Sequence, residues 1–406
     1  MPGMERFKRF ATVFLFGFSA GMPLLLTMST LQAWMVDEKV DLTVIGLFSL
    51  VGLPYTLKFL WAPLMDRYVP PFLGRRRGWM LVAQLGIIAT ITAMAFSNPG
   101  AFPMAIAALA VGLSFFSASQ DIAIDACNTE SLRSEEYGLG SALYTNGYRV
   151  AMLVSGAGAL ILADHMSWKQ VYLIMAAVMI VGVLATFWAK EPELAPGRPA
   201  DLSQAIILPF RDFFSRRGSL EVLAFLVLYR IDYNLTIAMT TPFVLQLGFT
   251  KTDIGVVTKG YGLAALIAGS LIGGAMMMRM GLKRSLRIFG IAQAASGTAY
   301  MVLARMGHVY GMMVTAIVVE NVCGGMADAA LVAFMMNLCD KRFTASQFAL
   351  ITSFMALSRY VAGAPSGFLA KSLGWETYFL VCALAGIPAL LMLFTRYSRW
   401  ELPEQA

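Results

Sequence analysis

Charge is scarce in this sequence, and so are the side chains used in metal and redox chemistry. Only 14% of the 406 residues are charged, where a soluble globular chain carries about 25%. There are two histidines, His165 and His308. Each stands at a loop edge without a partner in sequence, and a metal site needs more ligands than that. The four cysteines, Cys127, Cys323, Cys339 and Cys382, form no CxxC pair and lie in or beside apolar segments. They read as small residues of packed helices, so neither a disulfide framework nor a redox motif follows. No HExxH, GxSxG or GxxxxGK[ST] occurs, which argues against a membrane enzyme and against ATP-driven transport by this chain. No cofactor is called for. Disorder, a disulfide scaffold and a nucleic-acid-binding tail are excluded by the same composition.

What the sequence has in abundance is apolar length. Hydrophobic residues make up 58% of it, more than one aqueous core could hide. A membrane-spanning helix needs about 20 apolar residues. Twelve such runs are visible, at 10–34, 44–64, 78–96, 102–126, 138–163, 168–189, 220–247, 253–278, 287–304, 309–339, 347–370 and 375–394. They are rich in Gly, Ala, Ser and Met, as packed membrane helices are. The first run is too long for a signal peptide and lacks a small-residue cleavage site, so it reads as an uncleaved span.

The 31 basic residues set the orientation. With the N-terminus inside, 21 fall in cytoplasmic segments, among them Arg6, Lys8, Arg9, Arg67, Arg75, Arg76 and Arg77. Five, Lys39, Lys169, Lys251, Arg305 and Lys371, fall in the opposite loops. The positive-inside rule then puts both termini in the cytoplasm. The net charge of +7 is topological, and nucleic acid is set aside as a partner.

The longest polar stretch, 190–219, divides the chain into bundles at 1–189 and 220–406. Within it, Ala205 to Phe214 flanked by Arg211, Arg216 and Arg217 suits a helix lying on the cytoplasmic membrane face. An offset of about 209–210 residues lays Ile45-Gly46 on Ile254-Gly255, Arg75 on Arg284, Glu130 on Asp340 and Arg149 on Arg359. These matches support a duplicated six-helix unit. The expected fold is therefore all-α and integral to the membrane, with twelve helices in two pseudo-symmetric bundles, the architecture of the major facilitator superfamily.

Besides Lys169, Glu221, Asp253, Arg287 and Glu376 in the first two positions of their runs, ten ionisable residues lie inside the spans: Lys58, Arg149, Arg230, Lys259 and Arg359, and Asp121, Asp125, Asp232, Glu320 and Asp328. Each is costly against lipid, so they should face a cavity or pair with one another. None of the ten falls in spans 3, 6, 9 or 12, the outer helices of the major-facilitator architecture. Arg149, Arg230 and Arg359 near mid-span suit an anionic substrate, because guanidinium binds carboxylate through two hydrogen bonds. Pairing with a nearby acid such as Glu320 would explain them equally. Asp232 and Glu320 are candidate proton carriers, with Asp121 and Asp328 beside them, since a buried carboxylate can exchange protons. A permanent pair with Arg230 or Arg359 would stop that. Asp121 and Asp125 share a helix face with Ser114, Ser117 and Asn128. Asp121 is assigned to the pathway, and Asp125 is expected to latch the basic loop after span 2. Gly21-Met22-Pro23 reads as a hinge, a kink or plain packing.

Asp66-Arg67 followed by Gly74-Arg75-Arg76-Arg77 resembles, in stretched form, the cytoplasmic loop signature of major-facilitator proteins. The segments LQAWM (31–35), IGLFSLVGLPYTLKFLWAPLMDRY (45–68), PPFLGRRRGW (70–79) and SASQDIAIDA (117–126) resemble the AmpG-type muropeptide permeases. The likeness is strong over 10–190 and thinner beyond. It implies proton-driven import of a GlcNAc-anhydro-MurNAc peptide, whose carboxylates would suit Arg149, Arg230 and Arg359. It implies a transport role for Gln120 and Asp121. It makes Asp66, Arg67, Gly74, Arg75 and Arg76 a conformational gate for alternating access. Some muropeptide permeases carry two extra helices, and this sequence has room for twelve. Twelve-helix relatives include importers of ferric siderophores such as pyochelin, so that substrate stands as the alternative. Small-molecule substrate, protons and the bilayer are the expected partners of a monomer.

Overall fold

The computed structural model describes residues 2–40, 48–193 and 202–400. Ile45 and Gly46 of the repeat comparison, the start of the second expected span and positions 194–201 of the linker lie outside the described residues, as does the side chain of Lys259. Among the described residues there is helix and no strand.

The helices follow the expected spans. α1 comprises Pro2–Thr27 and, after a break at Met28, Ser29–Asp37. α2 lies between Phe48 and Arg67, α3 is Arg75–Ala95, α4 Pro103–Ser131, α5 Ser134–Ala163 and α6 Trp168–Trp188. The linker contributes α7, Leu202–Ser215. Then come α8 Ser219–Gln246, α9 Val256–Met280, α10 Leu282–Met306, α11 Tyr310–Leu338, α12 Thr344–Leu373 and α13 Trp375–Thr395. Among the described residues nine helices are both long and apolar enough to cross a membrane. α10 and α12, at 25 and 30 residues, match them in length.

Local sequence explains the ends and the breaks. Ser167 and Gln170 form a reciprocal capping box that starts α6. Gly281 and Gly374 adopt positive φ immediately before α10 and α13. The second span differs most from expectation. It is a chain of short pieces, Phe48–Gly52, Leu53–Leu57, Lys58–Leu60 and Ala62–Arg67, rather than one helix. Pro54 and Pro63 lack an amide hydrogen, and each stands where a new piece begins. Further breaks occur at Arg230 in α8 and at Gly386 in α13. A π-helical turn, Val154–Gly158, interrupts α5.

The chain forms two compact units. The first contains Met1–Arg133, Leu143–Arg211 and Cys339–Ser353; the second contains Ser134–Ala142, Asp212–Leu338 and Phe354–Ala406. Their cores echo one another. In the first, Trp34 packs on Trp168 and Tyr172, the Trp168 indole donates to Asp37 (2.8 Å), and the Tyr172 hydroxyl donates to the Leu26 carbonyl (3.1 Å). In the second, Phe243 packs on Trp375 and Phe379, the Trp375 indole donates to Gln246 (2.8 Å), and the Tyr378 hydroxyl donates to the Leu235 carbonyl (2.7 Å). These counterparts stand close to the offset already seen in the sequence.

Candidate functional site

Three groups of polar side chains are built into the helices. The first surrounds the loop between α2 and α3. Gly74, at φ +86°, turns the chain into α3, and Glu191 presses against it so closely that a Cβ would lie 2.7 Å from the Glu191 side chain. The Glu191 carboxylate accepts from the backbone N–H of Arg76 (2.8 Å) and Arg77 (3.0 Å), capping α3 with negative charge. Arg77 reaches back to the Thr186 and Phe187 carbonyls at the end of α6. Arg75 and Arg76 are buried. Both bond Glu130 at the end of α4, Arg75 at 3.0 Å and Arg76 Nε at 3.0 Å. Arg76 also reaches Asp66 at 2.8 Å. Asp66, fully buried, accepts from the Ser346 hydroxyl (2.6 Å) and from the N–H groups of Ser346 (2.9 Å) and Ala345 (3.3 Å), so it caps α12 within the same unit. Gln347 adds a bond to the Pro209 carbonyl of α7 (3.2 Å). Arg67 is half-buried, over the ring of Tyr68.

The second group lines α4. Ser114, Ser117, Gln120, Asp121, Asp125 and Asn128 are all buried. Asp125, expected to latch the basic loop, pairs with Lys58 of α2 (3.5 Å), while Glu130 bonds Arg75 and Arg76 of the loop. The reason is distance. Five residues of helix separate the two acids, roughly 7 Å of rise, and only Glu130 lies level with Arg75 and Arg76. Asp121 shares the field of Lys58 and Asp125, and its Oδ1 has no hydrogen-bond partner among the described residues. Gln120 does not turn to the same side. Its side chain bonds Ser19 of α1 twice. On α5, half-buried Arg149 donates to Asn146 one turn away (3.4 Å).

The third group is in the second unit. Arg230 stands at the break in α8, over the Tyr233 ring, 3.7 Å from Asp328 of α11. Asp232 accepts from the Tyr233 N–H (2.7 Å) and lies beside Gly386 of α13 and Ala294 of α10. Glu320, fully buried, accepts from Gln293 Nε2 (2.7 Å) and approaches the Ser296 hydroxyl (2.7 Å), both on α10. Neither Asp232 nor Glu320 has a hydrogen bond or ion pair to an arginine among the described residues, and Arg230 reaches both only through its field. α10, which holds none of the ten, thus supplies the neutral groups that bond Glu320, which satisfies its buried oxygens without a second charge. Arg359 is exposed and has no bonded partner among the described residues.

Sequence reasoning missed Glu191, Ser346, Gln293 and Ser296, and found Glu130 only as a repeat partner. A polar residue in an otherwise apolar outer helix was the available signal for Gln293. Gln84 stands at the matching position of α3, and its amide likewise bonds inward, to Ser19 and Thr186.

The family model of the Major Facilitator Superfamily matches residues 10–231 and 222–405. The chain belongs to the major facilitator superfamily. Within it the chain groups with the AmpG-type permeases. It is 46% identical over 388 residues to the anhydromuropeptide permease of Escherichia coli (strain K12), covering 95% of this chain and 79% of that one. It is 32% identical over 395 residues to a Rickettsia felis protein carrying the name AmpG 4, covering 95% of each. Solved structures agree in fold. The proton:xylose symporter XylE, bound to 6-bromo-6-deoxy-D-glucose, aligns with a TM-score of 0.74 at 8% identity, over 96% of this chain and 95% of that one. A bacterial homologue of the iron transporter ferroportin, in an outward-facing state, aligns at 0.70 and 13% identity, over 97% and 99%. A major-facilitator chain is a multi-pass membrane transporter of small molecules, and this one is no enzyme.

Proposed function

We propose that this transporter imports an anionic cell-wall muropeptide, a GlcNAc-anhydro-MurNAc peptide, across the bacterial inner membrane with protons, acting as a monomer with both termini cytoplasmic. The observation that carries the reading is the 46% identity, over 95% of the chain, to a permease named for anhydromuropeptide. Arg149, Arg230 and Arg359 are the proposed carboxylate contacts. Arg230 suits the role because it stands at a helix break, where such transporters hold their substrates. Among the coupling candidates, Asp121, Asp232 and Glu320 differ from Asp328, which is paired with Arg230. Asp232 and Glu320 accept hydrogen bonds from neutral groups and can take up a proton without stranding a bonded cation, and Asp121 keeps an oxygen with no hydrogen-bond partner among the described residues, so these three are proposed to carry protons. Asp66, Gly74, Arg75 and Arg76 form the gate, with Arg67 at its rim. The bonds from Asp66 to Ala345 and Ser346 are the ones alternating access would break and remake.

The test is uptake by vesicles holding the purified chain. Labelled GlcNAc-anhydro-MurNAc peptide should accumulate, faster with an inward proton gradient, and excess ferric pyochelin should leave the rate unchanged. Accumulation of ferric pyochelin in place of the muropeptide would overturn the substrate. Uptake indifferent to a protonophore would remove the coupling.

A further inference from the structure

Gln120 is fully buried, and its amide is bonded twice to one residue of α1. Its Oε1 accepts from the Ser19 hydroxyl (2.9 Å), and its Nε2 donates to the Ser19 carbonyl (3.0 Å). A carbonyl can only accept, so this geometry fixes which end of the amide is the nitrogen. In an unbroken α-helix the Ser19 carbonyl would receive the N–H of residue 23. Residue 23 is Pro23, inside α1, and has no N–H to give. The orphaned carbonyl lies in the membrane interior, where an unsatisfied group costs several kcal/mol and a neighbouring helix must supply the donor. Gln120 is that donor.

The surroundings hold Ser19 in place. Gln84 of α3 donates to the Ser19 hydroxyl (3.5 Å) and accepts from Thr186 of α6 (3.0 Å). A Cβ on Gly182 of α6 would fall 2.0 Å from the Ser19 hydroxyl. On another face of α1, Cβ atoms on Gly17 and Gly21 would meet the Tyr144 and Tyr148 carbonyls of α5 at 2.0 and 2.4 Å. Ser19 is therefore the fixed point of α1, and the proline lies one turn beyond it.

We propose that Gln120 is a positioning residue, which replaces the backbone donor lost at Pro23 and so fixes the bend of α1 and the roll of α4 that presents Asp121. This makes the transport role that the family resemblance implied for Gln120 an indirect one, and it rests on the transport reading only for its uptake arm. If Gln120 serves the proline, removing the proline makes it dispensable. Pro23→Ala restores the N–H to Ser19, and Gln120→Leu should then do little harm.

The experiment compares Gln120→Leu in the native and Pro23→Ala backgrounds by two measurements. Thermal unfolding of the purified chain in detergent needs no substrate. Gln120→Leu should lower the midpoint clearly in the native background and by less than half as much beside Pro23→Ala. In vesicles, uptake of labelled GlcNAc-anhydro-MurNAc peptide should lose about tenfold in maximal rate with KM within about twofold, and Pro23→Ala should recover most of that loss. Equal damage in both backgrounds would overturn the proposal, as would a rise in KM at unchanged maximal rate. Should native vesicles take up no muropeptide, the substrate reading fails, and the unfolding comparison still decides the role of Gln120.

Discussion

The buried carboxylates divide by the charge of their partners. Asp66 and Glu130 meet arginines, Asp125 meets Lys58 and Asp328 meets Arg230, whereas Asp232 and Glu320 meet neutral groups. This difference makes the substitutions diagnostic. Glu130→Ala removes the carboxylate that both Arg75 and Arg76 bond. Removing one partner of a buried pair costs about 3–5 kcal/mol, so the purified variant should unfold many degrees lower in detergent. Glu320→Gln should be milder, because an amide oxygen can still accept from Gln293. Its unfolding midpoint should stay close to the native value while proton-stimulated uptake falls. Unchanged stimulation would exclude Glu320 from coupling. The resemblance to the family's loop signature pointed to the arginines of this loop. It did not point to their acid: Asp125 and Glu130 lie on one helix, and only the depth of α4 decides between them.

Among the elements, the positions of helices were legible and their interruptions only partly. Apolar length located the helices of the expected spans, since twenty residues of low polarity have no other stable form in lipid. Pro54 and Pro63 were visible in the sequence, but run length outweighed them and the second span was read as a single helix. At Gly21-Met22-Pro23 the sequence left hinge, kink and packing open. The structure separates the pieces: Gly21 serves close packing on α5, and Pro23 frees a carbonyl that Gln120 takes. The same tight approach joins α9 to α11, where a Cβ on Gly269 would lie 2.2 Å from the Val322 carbonyl. Backbone cannot yield as a flexible side chain does, so overpacking at such sites costs about 1–3 kcal/mol or more. Gly17→Ala and Gly269→Ala should each reduce the yield of folded protein in membranes. Gly307→Ala is no neutral control because of its positive φ; Gly311→Ala, in open space inside α11, is the proper one. Equal yields of all three variants would refute the packing role.

For the molecule as a whole, the scarce charges set the layout. Burying a charge in lipid is expensive, so a chain with 14% charged residues keeps them where they are paired, hydrated or used. The basic excess lies on one side of the spans, while the repeated cores, Trp34–Trp168–Tyr172 and Phe243–Trp375–Phe379, hold none of it. The duplication was faintly legible through Arg75 and Arg284, and is far clearer in the paired aromatic clusters. Sequence comparison at a fixed offset could not weigh Trp34 against Phe243, because packing conserves ring volume rather than residue identity. The orientation proposed from the charges is open to direct measurement. The four native cysteines are first replaced by serine. Ala101→Cys, between α3 and α4, should then react with a membrane-impermeant maleimide in intact spheroplasts. Ser215→Cys, exposed at the end of α7, should react only after lysis. The reverse pattern would place the basic face outside, and with it the loop proposed as the gate, so the direction of import inferred for the molecule would have to be inverted.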